Sequence, residues 1–242
     1  MIWEQQWELF APNFKNGRAH IDLTPYGCQA ILRLYPGPGF GDLSHPTTRI
    51  VLRLMSSLIQ NRVVIDIGCG SGILSLAAAA MGAAKVYGYD IDPEAVKHAK
   101  KNAALSFFKE LLPVRDEILR RFEDARRLTA PFAPTEIVCL DPHQKGRTKD
   151  EQTVQKKIDF SIQPPAKISP ESVLLMNMIH SEQMEAWSAI ADRVPASAAL
   201  IASGILEEDA QEYLSWRIQQ GWQVQKKLTE EGWSGFILKN DF

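Results

Sequence analysis

Six residues carry most of the chemistry that this chain can offer: Asp66, Gly68, Gly70, Gly72, Asp90 and Asn177. The first four belong to the run Val63 to Gly72, which reads VVIDIGCGSG. Three glycines at every second position suit a loop that a ligand approaches closely and whose φ angles are positive. Asp90 follows at roughly the 20-residue distance at which an acid reaches ribose hydroxyls in a nucleotide-binding fold. Asp66 sets the sign of the ligand. A pyrophosphate beside that carboxylate would be repelled, whereas an amine and a sulfonium would be attracted. S-adenosylmethionine has both, together with a ribose for Asp90. The loop is also G-x-G-x-G, not the G-x-G-x-x-G of nicotinamide binders. The competing reading is a chance glycine turn in an α/β protein.

Elements must exist to position these groups. Val63 to Ile65 reads as a buried strand, Ile73 to Met81 as a helix, and Lys85 to Tyr89 as a second strand ending at Asp90. Pro93 opens a helix to about Ala104. Further strands are predicted at Glu136 to Leu140, Val173 to Met176 and Ala198 to Ser203, with helices at Glu182 to Arg193 and Glu207 to Gln219. Trp222 to Leu228 and Trp233 to Lys239, joined at Glu230-Glu231-Gly232, read as a closing antiparallel hairpin. The fold class is therefore α/β, a Rossmann-like, mostly parallel sheet with an antiparallel last strand. Strand carboxyl ends face the ligand crevice in such sheets. Asn177 ends the Val173 strand, so its amide carbonyl is placed to accept a hydrogen bond from an incoming amine and align it. It also suits a cap for the helix that follows. His180 is read as a helix-start histidine.

Ahead of this core, Trp3, Trp7 and Phe10 suggest one helix face. Ala19 to Leu23 and Ala30 to Tyr35 suggest two strands around Pro25-Tyr26-Gly27. The run Pro36-Gly37-Pro38-Gly39-Phe40-Gly41 is irregular. Pro46 suits the first turn of a helix carrying Ile50, Val51, Leu54, Met55, Leu58 and Ile59. Residues 1–45 are read as an extension with a cofactor-covering loop and 46–242 as the catalytic domain. Ser106 to Arg127 reads as a charged helix, and Pro142 to Pro170 as a long lysine-rich connection in which Ile158, Phe160 and Ile162 hint at a short strand.

The chain has 242 residues, 45% hydrophobic and 23% charged, with a formal charge of -2. That is an ordinary globular composition without a global attraction to nucleic acid. Cys28, Cys69 and Cys139 have no metal-ligand spacing, which points to reduced thiols and a cytoplasmic protein. No signal-like leader or bilayer-length apolar run is present, so neither a membrane nor a metal is expected.

The order of motifs resembles the PrmA-type methyltransferases of a large-subunit ribosomal protein. The resemblance rests on Pro36 to Gly41, His45-Pro46-Thr47-Thr48, Val64 to Leu74, Asp90-Ile91-Asp92-Pro93, Ser203-Gly204-Ile205-Leu206 and Glu231-Gly232-Trp233. It implies the class I methyltransferase fold of seven strands, S-adenosyl-L-methionine as cofactor and methylation of a protein amine. By the resemblance Thr47, Gly68, Asp90 and Asn177 contact the cofactor, and Phe40 and His45 cover it. Asp66, Gly70, Gly72 and Ile91 complete the candidate set, and Asn177 is the candidate catalytic residue. Asp42-Leu43 departs from the family's Thr-Gly, and Asn177-Met178-Ile179 from its Asn-Ile-Leu. The sequence begins at a stretch like the family's linker, which implies that the family's N-terminal recognition domain is missing. Two other functions stay open: methylation of a nucleic acid or small molecule, with the Lys145 to Lys167 cations as contact surface, and a non-catalytic interaction module.

Overall fold

The computed structural model describes residues 3–11, 13–41, 44–107 and 157–240. The predicted strand at Glu136 to Leu140, the charged helix after Phe107, residues Asp42 and Leu43, and most of the lysine-rich connection lie outside the described residues.

The chain opens with helix α1 (Trp3–Phe10), then β1 (Phe14–Lys15), β2 (Arg18–Asp22) and β3 (Ile31–Leu34) in an antiparallel three-stranded sheet. Ala19 pairs with Leu34 and Ile21 with Leu32, which puts four apolar side chains on one buried face. Trp7 is buried, but Phe10 is 66% exposed and does not share its face, contrary to the sequence reading. The two lie about 60° apart around the helix axis, and Phe10, the last residue of α1, falls on the solvent side of that offset.

The main sheet has seven strands in the order β6-β5-β4-β7-β8-β10-β9. They are β4 (Val63–Ile67), β5 (Lys85–Tyr89), β6 (Ile158–Ser161), β7 (Val173–Asn177), β8 (Ala199–Leu206), β9 (Trp222–Glu230) and β10 (Trp233–Asn240). The first five pair in parallel, and β10 runs antiparallel between β8 and β9. The hinted Ile158 strand is thus a full member of the sheet, at its edge beside β5.

Helices cover both faces, as parallel strands require. On one side lie α2 (Pro46–Met55), α3 (Ile73–Ala80) and α4 (Pro93–Phe107), with Val64, Val86, Leu175 and Ile201 beneath them. The small sheet joins this cluster through Ile21, Leu23, Leu32 and Leu34. On the other side, α5 (His180–Ser188) and α6 (Ala210–Gln219) cover Ile65, Ile67, Leu174 and Met176. Helix α2 ends at Met55, earlier than its apolar pattern, and Leu58 and Ile59 close the turn behind it. The alanine run lets α3 sit close on the strands, buried through Ala79.

The strand order reverses beside β4: β5 and β6 lie on one flank, β7 and β8 on the other. Such a switch point opens a crevice at the carboxyl ends of the strands. Everything described below meets there.

Candidate functional site

Register brings the sequence-distant groups together. Ile67 pairs with Tyr89 on one side and with Met176 on the other. The next residues along each strand are Gly68, Asp90 and Asn177, so all three stand at one end of the sheet. Asn177 in turn pairs with Ser203.

Asp66 is 1% exposed, and its Oδ2 accepts a 2.6 Å hydrogen bond from the Ser75 hydroxyl. Burial pushes its carboxyl up to about 6, opposed by the Ser75 hydrogen bonds and assisted by the nearby Asp90 charge. Asp90 closes the loop: its Oδ2 accepts from the Gly70 amide at 2.9 Å and its Oδ1 from the Asp92 amide at 3.0 Å. A carboxylate has about four acceptor sites, so both oxygens keep capacity for hydroxyl donors. Ile91, directly after it, is 82% exposed.

Gly68 has φ +69°, and a Cβ there would sit 2.4 Å from the Met178 methyl carbon. The glycine thus makes room for a flexible thioether lying in the crevice. Gly72 begins α3, and its open side is filled by Ala99 and Phe160, so it makes room for protein. Cys69 is buried, and desolvation raises its thiol pKa, which fits a space-filling thiol.

The 36–41 loop lies on the glycine loop. The Ser71 amide donates to the Phe40 carbonyl at 2.9 Å, and the Ser71 hydroxyl to the Gly41 carbonyl at 2.6 Å. From α4, His98 receives the Gly39 amide on Nδ1 at 3.2 Å, which leaves Nε2 to donate to the Tyr35 carbonyl at 2.7 Å. Burial lowers the imidazole pKa. Asn102 completes the tie, donating to the Ser71 carbonyl and accepting from the Tyr35 amide.

His45 is the N-cap of α2, accepting the Thr47 amide on Nδ1 at 3.4 Å, and the same nitrogen lies 2.9 Å from the Thr47 hydroxyl. Its ring stands between Phe40 and Trp233, at centroid distances of 5.5 and 4.8 Å. Arg49 holds the β9–β10 turn against α2 through Glu230 and Glu231, each at 2.7 Å. Trp233 is thereby fixed beside His45.

Asn177 is the last residue of β7, not a helix cap. Ile179 caps α5 without a side-chain bond, because two residues, Met178 and Ile179, separate the strand end from the helix. The Asn177 amide nitrogen donates to the Thr48 hydroxyl at 3.4 Å, and its side-chain carbonyl oxygen is buried without a partner among the described residues. An unpaired buried acceptor costs about 1–3 kcal/mol, so it marks a place where a donor is wanted. Thr48 escapes a sequence reading, although its threonine pair in the first turn of α2 was visible. His180 starts α5 and packs its ring on Tyr213 and Trp216, both at 5.3 Å.

Residues 18–125 match the family model of ribosomal protein L11 methyltransferase (PrmA). A ribosomal protein L11 methyltransferase of Methylococcus capsulatus is 27% identical over 238 residues, covering 96% of this chain and 66% of the relative. One from Caldanaerobacter subterraneus subsp. tengcongensis is 31% identical over 157 residues, covering 62% of this chain and 51% of the relative. The matches therefore span between about half and two thirds of these relatives' own lengths. Among solved structures, a ribosomal protein L11 methylase from Lactobacillus delbrueckii subsp. bulgaricus superposes with a TM-score of 0.59 at 20% identity, covering 88% of this chain and 87% of that one. A putative methyltransferase from Escherichia coli gives 0.51 at 12% identity, covering 88% and 94%. The chain has the class I methyltransferase fold, and over the matched residues its sequence is similar to those of the PrmA-type ribosomal protein methyltransferases.

Proposed function

We propose that this chain is an S-adenosyl-L-methionine-dependent methyltransferase that methylates a protein amine in the cytoplasm. In this reading residues 1–45 are an extension that covers the cofactor, and 46–242 form the catalytic domain. The observation that carries it is the buried carbonyl oxygen of Asn177, unpartnered among the described residues, beside Gly68 at the strand switch point.

The residues present suit the cofactor. Asp90 keeps acceptor capacity for ribose hydroxyls, and the desolvated Asp66 carboxylate, hydrogen-bonded by Ser75 but facing no cation among the described residues, is a negative charge of the kind a cationic ligand relieves. Gly68 leaves a cradle that, among the described residues, is filled by the end of the Met178 side chain, which has rotamers to move. When bound, the cofactor supplies an electrophilic methyl group carried on a sulfonium.

The chain's own contribution is alignment. The Asn177 carbonyl accepts an N–H from a neutral acceptor amine and so fixes the direction of the nitrogen lone pair. Thr48 holds the other end of the amide. Phe40 and His45 with Trp233 wall the mouth and exclude water. No base is required in the transfer itself, since the methylated amine sheds its proton to solvent.

The test is transfer of labelled methyl groups from the cofactor into a cell lysate, followed by separation of protein and RNA. Label in protein is expected, and the large-subunit ribosomal protein named for the relatives is the first purified acceptor to assay. Label confined to RNA or to small molecules would move the reading to another acceptor. Absence of cofactor binding in calorimetry would end it.

A further inference from the structure

A second layer of polar side chains stands behind Asn177. Gln183, on α5, is fully buried. Its Nε2 donates to two backbone carbonyls, Met178 at 2.9 Å and Ser203 at 3.0 Å. Its Oε1 accepts from the Tyr213 hydroxyl at 2.8 Å and from Arg217 Nη2 at 3.2 Å. All four hydrogen-bonding positions of the amide are occupied.

The amide has only one workable orientation. Arg217 is a donor with no acceptor, so the Gln183 oxygen must face it and the nitrogen must face the carbonyls. Arg217 is itself fully buried, donates through Nε to Tyr213 at 2.9 Å, and lies over the rings of Trp187 and Trp216 at 4.7 and 4.2 Å. Among the described residues it forms no ion pair with a carboxylate. The direction of donation therefore runs one way, from Arg217 to Tyr213 to Gln183 to the backbone.

What it ends on matters. Met178 directly follows Asn177, and Ser203 is the β8 residue paired with Asn177. Gly204 presses the same point, since a Cβ there would lie 2.3 Å from the Met178 carbonyl oxygen. The peptide after Asn177 is thus gripped from two sides, and among the described residues the Asn177 side chain is left with one weak partner, Thr48.

We infer that Gln183, oriented by Tyr213 and Arg217, is a positioning residue that fixes the backbone from which Asn177 presents its carbonyl to the acceptor amine. The inference rests on the role proposed for Asn177. The grip itself is a matter of geometry and has a readout that does not depend on activity.

Two variants test it. Gln183→Met removes every hydrogen bond of the amide. Gln183→Glu keeps acceptors for Tyr213 and Arg217, pairs the buried cation and so protects the fold, but as a carboxylate donates to neither carbonyl. In asparagine-labelled protein the side-chain amide signals of Asn177, assigned by their loss in Asn177→Ala, are expected to shift and broaden in both variants. Turnover per bound cofactor is expected to fall about ten-fold or more, because a displacement on the order of 1 Å is costly to alignment. Cofactor affinity should stay within about two-fold, a split that separates alignment from binding. A residue that merely supports the fold would reduce the fraction that binds cofactor and leave both the Asn177 signals and the turnover of the remainder alone. Unchanged Asn177 signals, or unchanged turnover per bound cofactor in an active protein, would overturn the inference. An inactive wild type would remove the methyltransferase reading, while the amide signals would still decide whether Gln183 holds Asn177.

Discussion

The two banks of the crevice are built by different means. On the β4–β5 bank, Asp66, Gly68 and Asp90 come from one short stretch, and Asp90 is fixed by the amides of Gly70 and Asp92. On the β7–β8 bank, Asn177 stands on a strand end steadied by Thr48, Gln183, Tyr213 and Arg217. The first bank is made of backbone and survives changes of side chain around it. The second is a buried polar network in which each member depends on the others, and such networks are costly when half satisfied. Cofactor binding should therefore be robust and acceptor alignment fragile.

The strongest way to break that contrast is Asn177→Ala. Turnover should drop roughly a hundred-fold, the scale of lost alignment, with little change in cofactor affinity. Equal losses in both would make Asn177 a cofactor ligand on the same footing as Asp90.

The next effect is the cost of the first bank's charge. The Asp66 carboxyl titrates at about 6 in the folded protein against 3.8 for an unperturbed aspartate. The folded state thus binds more protons between those values. The Asp66 contribution is present below about pH 4 and is lost as pH rises to about 6, by roughly 3 kcal/mol at about 1.4 kcal/mol per unit. Asp66→Asn should remove that slope from urea unfolding measured between pH 4 and 7. An unchanged slope would mean that the carboxyl is not desolvated as described.

Asp90→Ala should weaken the cofactor by about 1–3 kcal/mol in calorimetry, the worth of hydrogen bonds to a charged group. Turnover at saturating cofactor should change less than it does in Asn177→Ala. The reverse ranking would erase the distinction between the banks.

The smallest effect concerns the loop over the first bank. The His98 imidazole is held below its ordinary range by burial, with Lys101 adding to that direction and the Tyr35 carbonyl opposing it. Protonation would also cost the Gly39 amide its acceptor. The unfolded chain then binds the proton more readily, so stability falls as pH drops from neutral through the unperturbed imidazole range. His98→Asn should flatten the slope there, a change opposite in sign to that of Asp66→Asn. Identical slopes in wild type and variant would detach His98 from the loop.

The contrast also explains what the sequence could reveal. The glycine loop and Asp90 were legible because strand, turn, helix and acid follow one another within a single βαβ unit. Asn177 was legible as a polar residue ending an apolar strand. Thr48 was not, since it meets Asn177 across 129 positions. Gln183 and Arg217 look like ordinary polar residues on amphipathic helices. Only the packed structure shows that both are fully buried. The hairpin of β9 and β10 was read correctly as a hairpin, but its placement required β8 as a template. The alternation in Ile158, Phe160 and Ile162 marked a strand, whereas its seat beside β5 is tertiary information.

That β10 lies between β8 and β9 has a consequence for how the molecule is made. A chain leaving the ribosome completes β8 and then β9 before β10 exists, and β9 has no seat in the sheet until β10 arrives. During that interval β8 presents an open hydrogen-bonding edge, and the apolar face that α6 and Phe236 close is unfinished. Ser203 pairs with Gly235 in the final sheet and donates its hydroxyl to the Ser234 carbonyl. Among the described strands, the one that holds Ser203 beside Asn177 is thus the last to be made. In the proposed reading, a nascent chain would complete the bank assigned to the cofactor well before the bank assigned to the acceptor.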